Sequence, residues 1–489
     1  MRTIGNNPQL PRQTQAVASG AITGGKPVVV NSNGTLGVVA TSSDSTAVGS
    51  PEVFESAALT ILAATFDSNA NKVVIAYSDN GNSSYGTAIV GTVNASNNTI
   101  SFGSPEIFEN ASTKDIAATF DSNSNKVVIV YRDFGNSNYG TAVVGTVSGT
   151  DISFGSAVIF ESANVQTSRS LGVTFDSNSN KVVIAYRDNG NSAHGTAIVG
   201  TVSGTSISFG SAVVFESASS DNMSATFDSN SNKVVIAYQD SGARGDAIVG
   251  TVSGTSISFG SATSYESGNA GYISTTFDSN ANKVVVAYTD YGNSKKGKVA
   301  VGTVSGTSIS FGSLVIFSQN ETDDIAMAFD SSVNKVVIAY ADGDNNNYGY
   351  AIEGTVSNTS ISFGSAVVFE SARAENMTKG VTFDSNAERV VIAYEDDANN
   401  AYGTGVVFRA SGDRTNLTAE NYIGIAEGPV ATGQPVTVNT KGAVDENQTS
   451  LTAGQTYFVQ TDGTLGTSAD DPSVVAGTAV TATKLIVKG

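Results

Sequence analysis

The sequence predicts an all-β chain: a seven-bladed β-propeller whose last blade is closed by an N-terminal strand, plus a small β-domain from the chain ends. Three observations predict it. A Phe-Asp-Ser unit followed by Lys/Arg-Val-Val recurs with its phenylalanine at Phe66, Phe120, Phe175, Phe227, Phe277, Phe329 and Phe383, at spacings of 54, 55, 52, 50, 52 and 54 residues. Each copy contains four short runs of β-forming residues separated by turn residues. The series also starts with the second half of a fourth strand and stops after a third strand.

The elements follow in chain order. Residues 1–45 hold Ala21-Ile-Thr-Gly-Gly-Lys-Pro-Val-Val-Val, a β-type segment outside the repeats. Residues 46–411 are the propeller. Within one copy, Ser224–Phe227 is the first strand and Lys233–Tyr238 the second. Asp246–Val252 is the third, and Ser256–Phe259, continued to Tyr265, the fourth. Asp-Ser-Asn-x-Asn between the first two strands suits an Asx turn, and Ser253-Gly254-Thr255 suits a hairpin. The second strand is apolar without alternation, so both of its faces should be buried. Hairpin turns between neighbouring strands favour this meander over a β-solenoid. Gly49–Ser56 resembles only the second half of a fourth strand, and the last copy ends at Gly403–Phe408. The N-terminal strand near Val53 should therefore complete the seventh blade and remove an exposed edge. Residues 412–489 form the remaining β module. Pro429–Val444 aligns with Ala21–Leu36, so the two ends are expected to build one domain together.

Composition limits the chemistry. Lys and Arg number 25 against 44 Asp and Glu, a formal net charge of −19. Such a surface repels phosphate backbones and anionic membranes, so neither nucleic acid nor membrane insertion is expected. There is no cysteine and a single histidine, His194. Disulfides and thiolate sites are excluded, and a catalytic triad or zinc site would rest on His194 alone. No apolar leader or membrane span is visible at the start or elsewhere. The repeats are so alike that no blade carries an outlying catalytic set, and the chain is expected not to be an enzyme.

Loop lengths locate the candidate binding face. The first-to-second turn keeps its length in all seven copies and the third-to-fourth step in five of six, while the other two connections vary. In a meander these variable loops share one face, and loops on a rigid scaffold carry function. The second-to-third connections read Asp-x-Gly-Asn-Ser-x-Tyr-Gly. The residue before the final glycine is Tyr85, Tyr139, His194, Arg244, Lys296, Tyr348 and Tyr402, the candidate ligand-binding set. Tyrosine offers a stacking plane and a hydroxyl, suited to sugars or protein contacts; a tyrosine can equally pack over its own loop. Two aspartate series, Asp67 to Asp384 and Asp79 to Asp396, recur in the turns and are expected to accept backbone N–H groups. Asp342 and Asp344 form the densest oxygen cluster, the one place where calcium could bind, although no closing glutamate follows. No other cofactor is expected. Glu55, Glu109, Glu161, Glu216, Glu266 and Glu370 recur after the fourth-strand aromatic residue and are read as blade-edge charges.

The stretches Leu417–Ile425, Ser450–Leu465 and Ser473–Gly489 resemble a C-terminal module of structural and fibre proteins of tailed bacteriophages, marine ones especially. The resemblance covers about 75 residues. It implies a virion protein and carries no catalytic residue with it. The repeats lack the Ser-x-Asp-x-Gly-x-Thr-Trp box of sialidases. The expectation is a virion fibre or surface protein released by lysis. The end module would attach to other virion proteins, and the propeller would contact host-surface glycan or protein, with homo-oligomers admitted. The alternatives are a capsid decoration protein without a ligand, a non-viral secreted adhesin or lectin, and a polysaccharide-cleaving enzyme if carboxylates converge on the axis.

Overall fold

The Asp-Ser-Asn turns set the start of every repeat. Asp67 Oδ1 accepts the N–H groups of Asn69 and Ala70 at 2.9 and 2.8 Å. Asp121, Asp176, Asp228, Asp278 and Asp384 accept the equivalent pairs. A short polar side chain that folds onto its own backbone makes a tight turn and pins the register of the hairpin. The computed structural model describes residues 12–31, 33–165, 169–470 and 472–488. They divide into two compact units: Ser45–Ser411, and the described residues on either side of it.

The chain is all-β. Within the Ser45–Ser411 unit one antiparallel pairing pattern of four strands recurs from copy to copy. In the fourth copy the strands are Asp221–Asp228, Lys233–Gln239, Gly245–Ser253 and Ser256–Phe259, the last resuming at Thr263–Glu266. Phe227 pairs with Val234, Val234 with Gly250, and Gly250 with Phe259. Val234 to Tyr238 are all 0% exposed, which explains the unbroken apolar run. In the seventh copy, Val381–Asp384, Arg389–Asp396 and Tyr402–Arg409 receive their fourth strand from the N-terminal side. Val48 pairs with Phe408 and Val53 with Thr404.

Each first strand lies beside the first strand of the next copy, and Val381–Asp384 of the seventh lies beside Glu52–Asp67 of the first. At that seam Ala64 N–H donates to Lys379 O at 2.9 Å. Apolar clusters join every consecutive pair of sheets, and one of them places Val391, Ala393 and Val407 against Leu59, Leu62 and Ile75.

The recurring glutamates are not edge charges. Each accepts the hydroxyl of a buried second-strand tyrosine in the following copy. Tyr77 donates to Glu55, Tyr131 to Glu109, Tyr186 to Glu161, Tyr238 to Glu216, Tyr288 to Glu266 and Tyr394 to Glu370, at 2.8 to 3.2 Å. The residue before each glutamate packs its ring on the same tyrosine, as Phe108 does on Tyr131 with centroids 5.2 Å apart. The correction has a simple cause: the partner lies 22 to 25 residues downstream across a sheet boundary. Burial, then the adjacent carboxylate, raises these phenols far above their usual range, so they stay donors. Tyr340 is the exception, because Ser318 replaces the glutamate opposite it.

In the second unit the two chain ends pair strand to strand. Gln13–Val17 pairs with Pro435–Asn439, Pro27–Val30 with Tyr422–Ala426, and Thr41–Asp44 with Gly412–Thr415. Val29, Leu417, Ile425, Tyr457, Val459 and Leu485 share one of its apolar clusters.

Candidate functional site

The seven variable positions are built on one frame. The second-strand aspartate ends the strand and, in the first three copies, caps a tight turn: Asp79 accepts Asn82 N–H, Asp133 accepts Asn136 N–H and Asp188 accepts Asn191 N–H. Left-handed residues follow, such as Ser83 and Ser84 or Asn346 and Asn347. The chain then enters the third strand at the variable residue. Tyr85, Tyr139, His194, Lys296, Tyr348 and Tyr402 are thus strand-initial and half-buried; Arg244 is exposed and stands just before its strand. The following glycine is required by packing. A Cβ on Gly140 would lie 2.4 Å from the Phe160 ring, and one on Gly245 2.4 Å from Tyr265. The rings that clasp the tyrosines therefore also hold down the backbone beside each variable side chain.

The side chains on this frame differ in availability. Arg244 is bound within its own loop, its Nε and Nη2 reaching Asp240 Oδ2 at 2.9 and 2.6 Å. Among the described residues, the hydroxyls of Tyr85, Tyr139, Tyr348 and Tyr402 have no hydrogen-bond partner, whereas the second-strand tyrosines are clasped. Asp342 accepts the Asn320 amide at both oxygens, and Asp344 accepts Glu321 N–H at 3.3 Å. No group of three or more carboxylates or histidines among the described residues is placed to hold a metal.

The sequence reading missed a second set of residues, at the start of each first strand. There, or just before it, one non-glycine residue per copy is left-handed: Ile61, Asp115, Arg169, Asn222, Tyr272, Asp324 and Asn376, with φ from 48 to 70°, and in five copies, all but those of Arg169 and Asn376, the strand bulges at that point. For Ile61 and Tyr272 this is a strained conformation, of the kind concentrated at functional sites. All seven side chains belong to the same end of the meander as the variable tyrosines. The only sequence signal was the loss of repetition just before each Phe-Asp-Ser.

These residues separate by charge. On one side, Lys114, Asp115, Arg132, Arg169, Thr378 and Lys379 line a cavity of about 410 Å³. Arg132 Nε sits 3.2 Å from buried Asp115. Arg169 lies 4.0 Å over the Tyr272 ring and 3.4 Å from Asp324. On the other side, Asp323, Asp324 and Glu375 border a smaller cavity of about 160 Å³ together with Arg373, which pairs with Glu375. Beside them Glu395, 8% exposed, accepts the Asn376 amide. Burial, with Glu375, Asp397 and Asp324 nearby, pushes Glu395 up to about 7.

A raised carboxyl favours the folded state only while it holds its proton. That contribution is full below the unfolded value and is lost as pH rises through about 7. Glu395→Gln should therefore stabilise the protein by about 2 kcal/mol at pH 8, the full shift being reduced by solvent screening of a partly exposed group. The gain should fade on acidification and vanish below the ordinary carboxyl range. Urea unfolding at pH 4 and pH 8 measures this directly.

No family model and no curated protein matches the chain. Among solved structures, BP39L lectin from Burkholderia pseudomallei is similar with a TM-score of 0.56 at 9% identity, covering 74% of this chain and 99% of its own. That likeness shows a shared all-β fold. A Dyadobacter fermentans protein of unknown function and a mutant of AofleA from Arthrobotrys oligospora both reach a TM-score of 0.42 at 10% identity. The first covers 76% of this chain and 99% of its own, and the second 69% and 94%.

Proposed function

We propose that the chain is a glycan-binding adhesin built on a closed seven-bladed β-propeller and carried on the virion of a tailed phage. The observation that carries glycan binding is the set of six strand-initial stations at one end of the sheets, with Arg244 standing just before its strand at the seventh. The frame is constant, the side chain varies, and four stations offer a half-buried tyrosine with a free hydroxyl. An aromatic plane with a hydroxyl fits the apolar face and polar rim of a sugar ring. Single contacts of this kind are weak, and display in many copies multiplies them. The likeness to a lectin fold agrees with this reading. Closure of the propeller is supported by the seventh sheet, which takes its fourth strand from residues 47–55 and packs against the first. The virion assignment rests on the resemblance of residues 417–489 to the phage module, and other virion proteins would be the partners of the end-derived unit.

One observation favours a second reading, glycan cleavage: Asp324 and Glu375 lie near enough to Glu395 to help raise it, and Glu395 keeps a proton near neutrality. A glycan array, run beside a reducing-end assay on every glycan retained, tests both. Binding without cleavage is the expected outcome, and a retained glycan that is shortened would favour the second reading. Immunogold labelling of particles with antibody to the Ser45–Ser411 unit tests the virion assignment. Unlabelled particles would move a secreted adhesin into its place.

A further inference from the structure

We propose that the cationic axial cavity binds the carboxylate of an acidic sugar, a uronate in chemical class. This rests on the glycan-binding reading and assigns a second site to it, distinct from the tyrosine stations.

The cavity runs against the charge of the molecule. The whole chain carries −19, yet four cations, Lys114, Arg132, Arg169 and Lys379, surround one carboxylate, Asp115. Asp115 cannot neutralise them all. It pairs with Arg132 at 3.2 Å and takes Arg169 N–H at 2.9 Å. Arg169 spends its guanidinium on Asp324 and the Tyr272 ring. Among the described residues, neither Lys114 nor Lys379 has a carboxylate within 4.0 Å. A half-buried lysine without a counter-charge costs free energy that an incoming anion would recover. Burial of the Lys379 ammonium pushes it down to about 8, so it remains largely charged at neutral pH.

Size and lining select among anions. About 410 Å³ is far more than an inorganic ion fills and lies within the range of small-molecule sites. Ile61, backed by the buried Leu62 and Ile116, supplies an apolar side, and Thr60 and Thr378, the latter already donating to Asp324, supply hydroxyl oxygens, as a sugar ring with one charged substituent requires. Four of the seven left-handed residues, Ile61, Asp115, Arg169 and Asn376, line the cavity, so the cost of their conformation falls where the ligand would sit.

Calorimetric titration of the intact chain with D-glucuronate, D-glucose and inorganic phosphate tests the proposal. Glucuronate should bind at least tenfold more tightly than glucose, and phosphate should not displace it at equal concentration. Lys379→Met and Lys114→Met should each weaken glucuronate binding at least tenfold. Both replace an unpaired cation by an apolar side chain, and unchanged circular dichroism and melting will confirm that they fold. Tyr139→Ala should leave glucuronate binding intact. Equal binding of glucose and glucuronate, full displacement by phosphate, or wild-type affinity in both lysine variants would overturn the proposal. Array glycans bound through the tyrosine stations without any glucuronate binding would overturn this site and leave the adhesin reading standing. Glucuronate binding at the axis with an otherwise blank array would support this site and remove the stations.

Discussion

Replacing Tyr131 by alanine should destabilise the Ser45–Ser411 unit by about 3–5 kcal/mol, the cost of deleting a buried aromatic side chain. Tyr131 is 0% exposed, packs on Phe108 and donates to Glu109. The subtler variant is more informative. Tyr131→Phe keeps the packing and removes only the hydroxyl, leaving a half-buried carboxylate without its donor, at about 1–3 kcal/mol. Burial already raises Glu109, and the Tyr131 hydrogen bond works against that rise. Without the hydroxyl the folded value climbs further. A raised carboxyl contributes stability below the unfolded value and loses it as pH passes the folded value. The phenylalanine variant should thus be nearly neutral at pH 4 and fully destabilised at pH 8. Tyr340→Phe provides the contrast, since it faces Ser318 and no glutamate. Its cost should not change over that interval. Urea unfolding of the three proteins at both pH values decides the matter, and a Tyr131→Phe deficit independent of pH would contradict the clasp.

The double substitution Phe54→Ala with Glu55→Ala should cost as much as Phe215→Ala with Glu216→Ala, about 3–5 kcal/mol in each case. The second pair lies between two copies adjacent in sequence. The first lies on the N-terminal strand, where it completes the seventh sheet and clasps the first. Phe54 is 6% exposed, its centroid 5.3 Å from Tyr77 and 5.4 Å from Phe102. Tyr77 donates to Glu55 at 2.9 Å. Equal costs mean that the seam is an interface like the others. A negligible cost at Phe54 and Glu55 would mean that the first and seventh copies separate freely in solution, and the closed propeller would fall with it.

How much of this was legible in the sequence depends on what repeats. Strand order, turn chemistry and the pairing of residues near Val53 with the last third strand follow from motifs spaced by about one copy, so comparing copies reveals them. The aspartates that fold onto their own turns could be read because donor and acceptor lie two or three residues apart. The glutamates could not. Glu109 and Tyr131 are separated by 22 residues and a sheet boundary, and nothing local links them. The left-handed series was hidden for the opposite reason. Ile61, Asp115, Arg169 and Tyr272 share a backbone conformation and no side-chain chemistry, so no motif marks them. Ile61 and Tyr272 are also residues that sequence rules assign to regular strands. The meeting of Lys114 and Lys379 in one cavity needed the fold itself, because they come from copies far apart in the chain.

The central claim is that the variable tyrosines bind glycan. It is tested most directly by comparing the intact chain with a variant carrying alanine at Tyr85, Tyr139, Tyr348 and Tyr402, using surface plasmon resonance on the glycans the array retains. The four positions are half-buried strand starts, and unchanged thermal unfolding will show that the frame survives. The account predicts at least a tenfold loss of affinity, with partial losses for single substitutions. Wild-type affinity in the fourfold variant, with its fold intact, would contradict the claim.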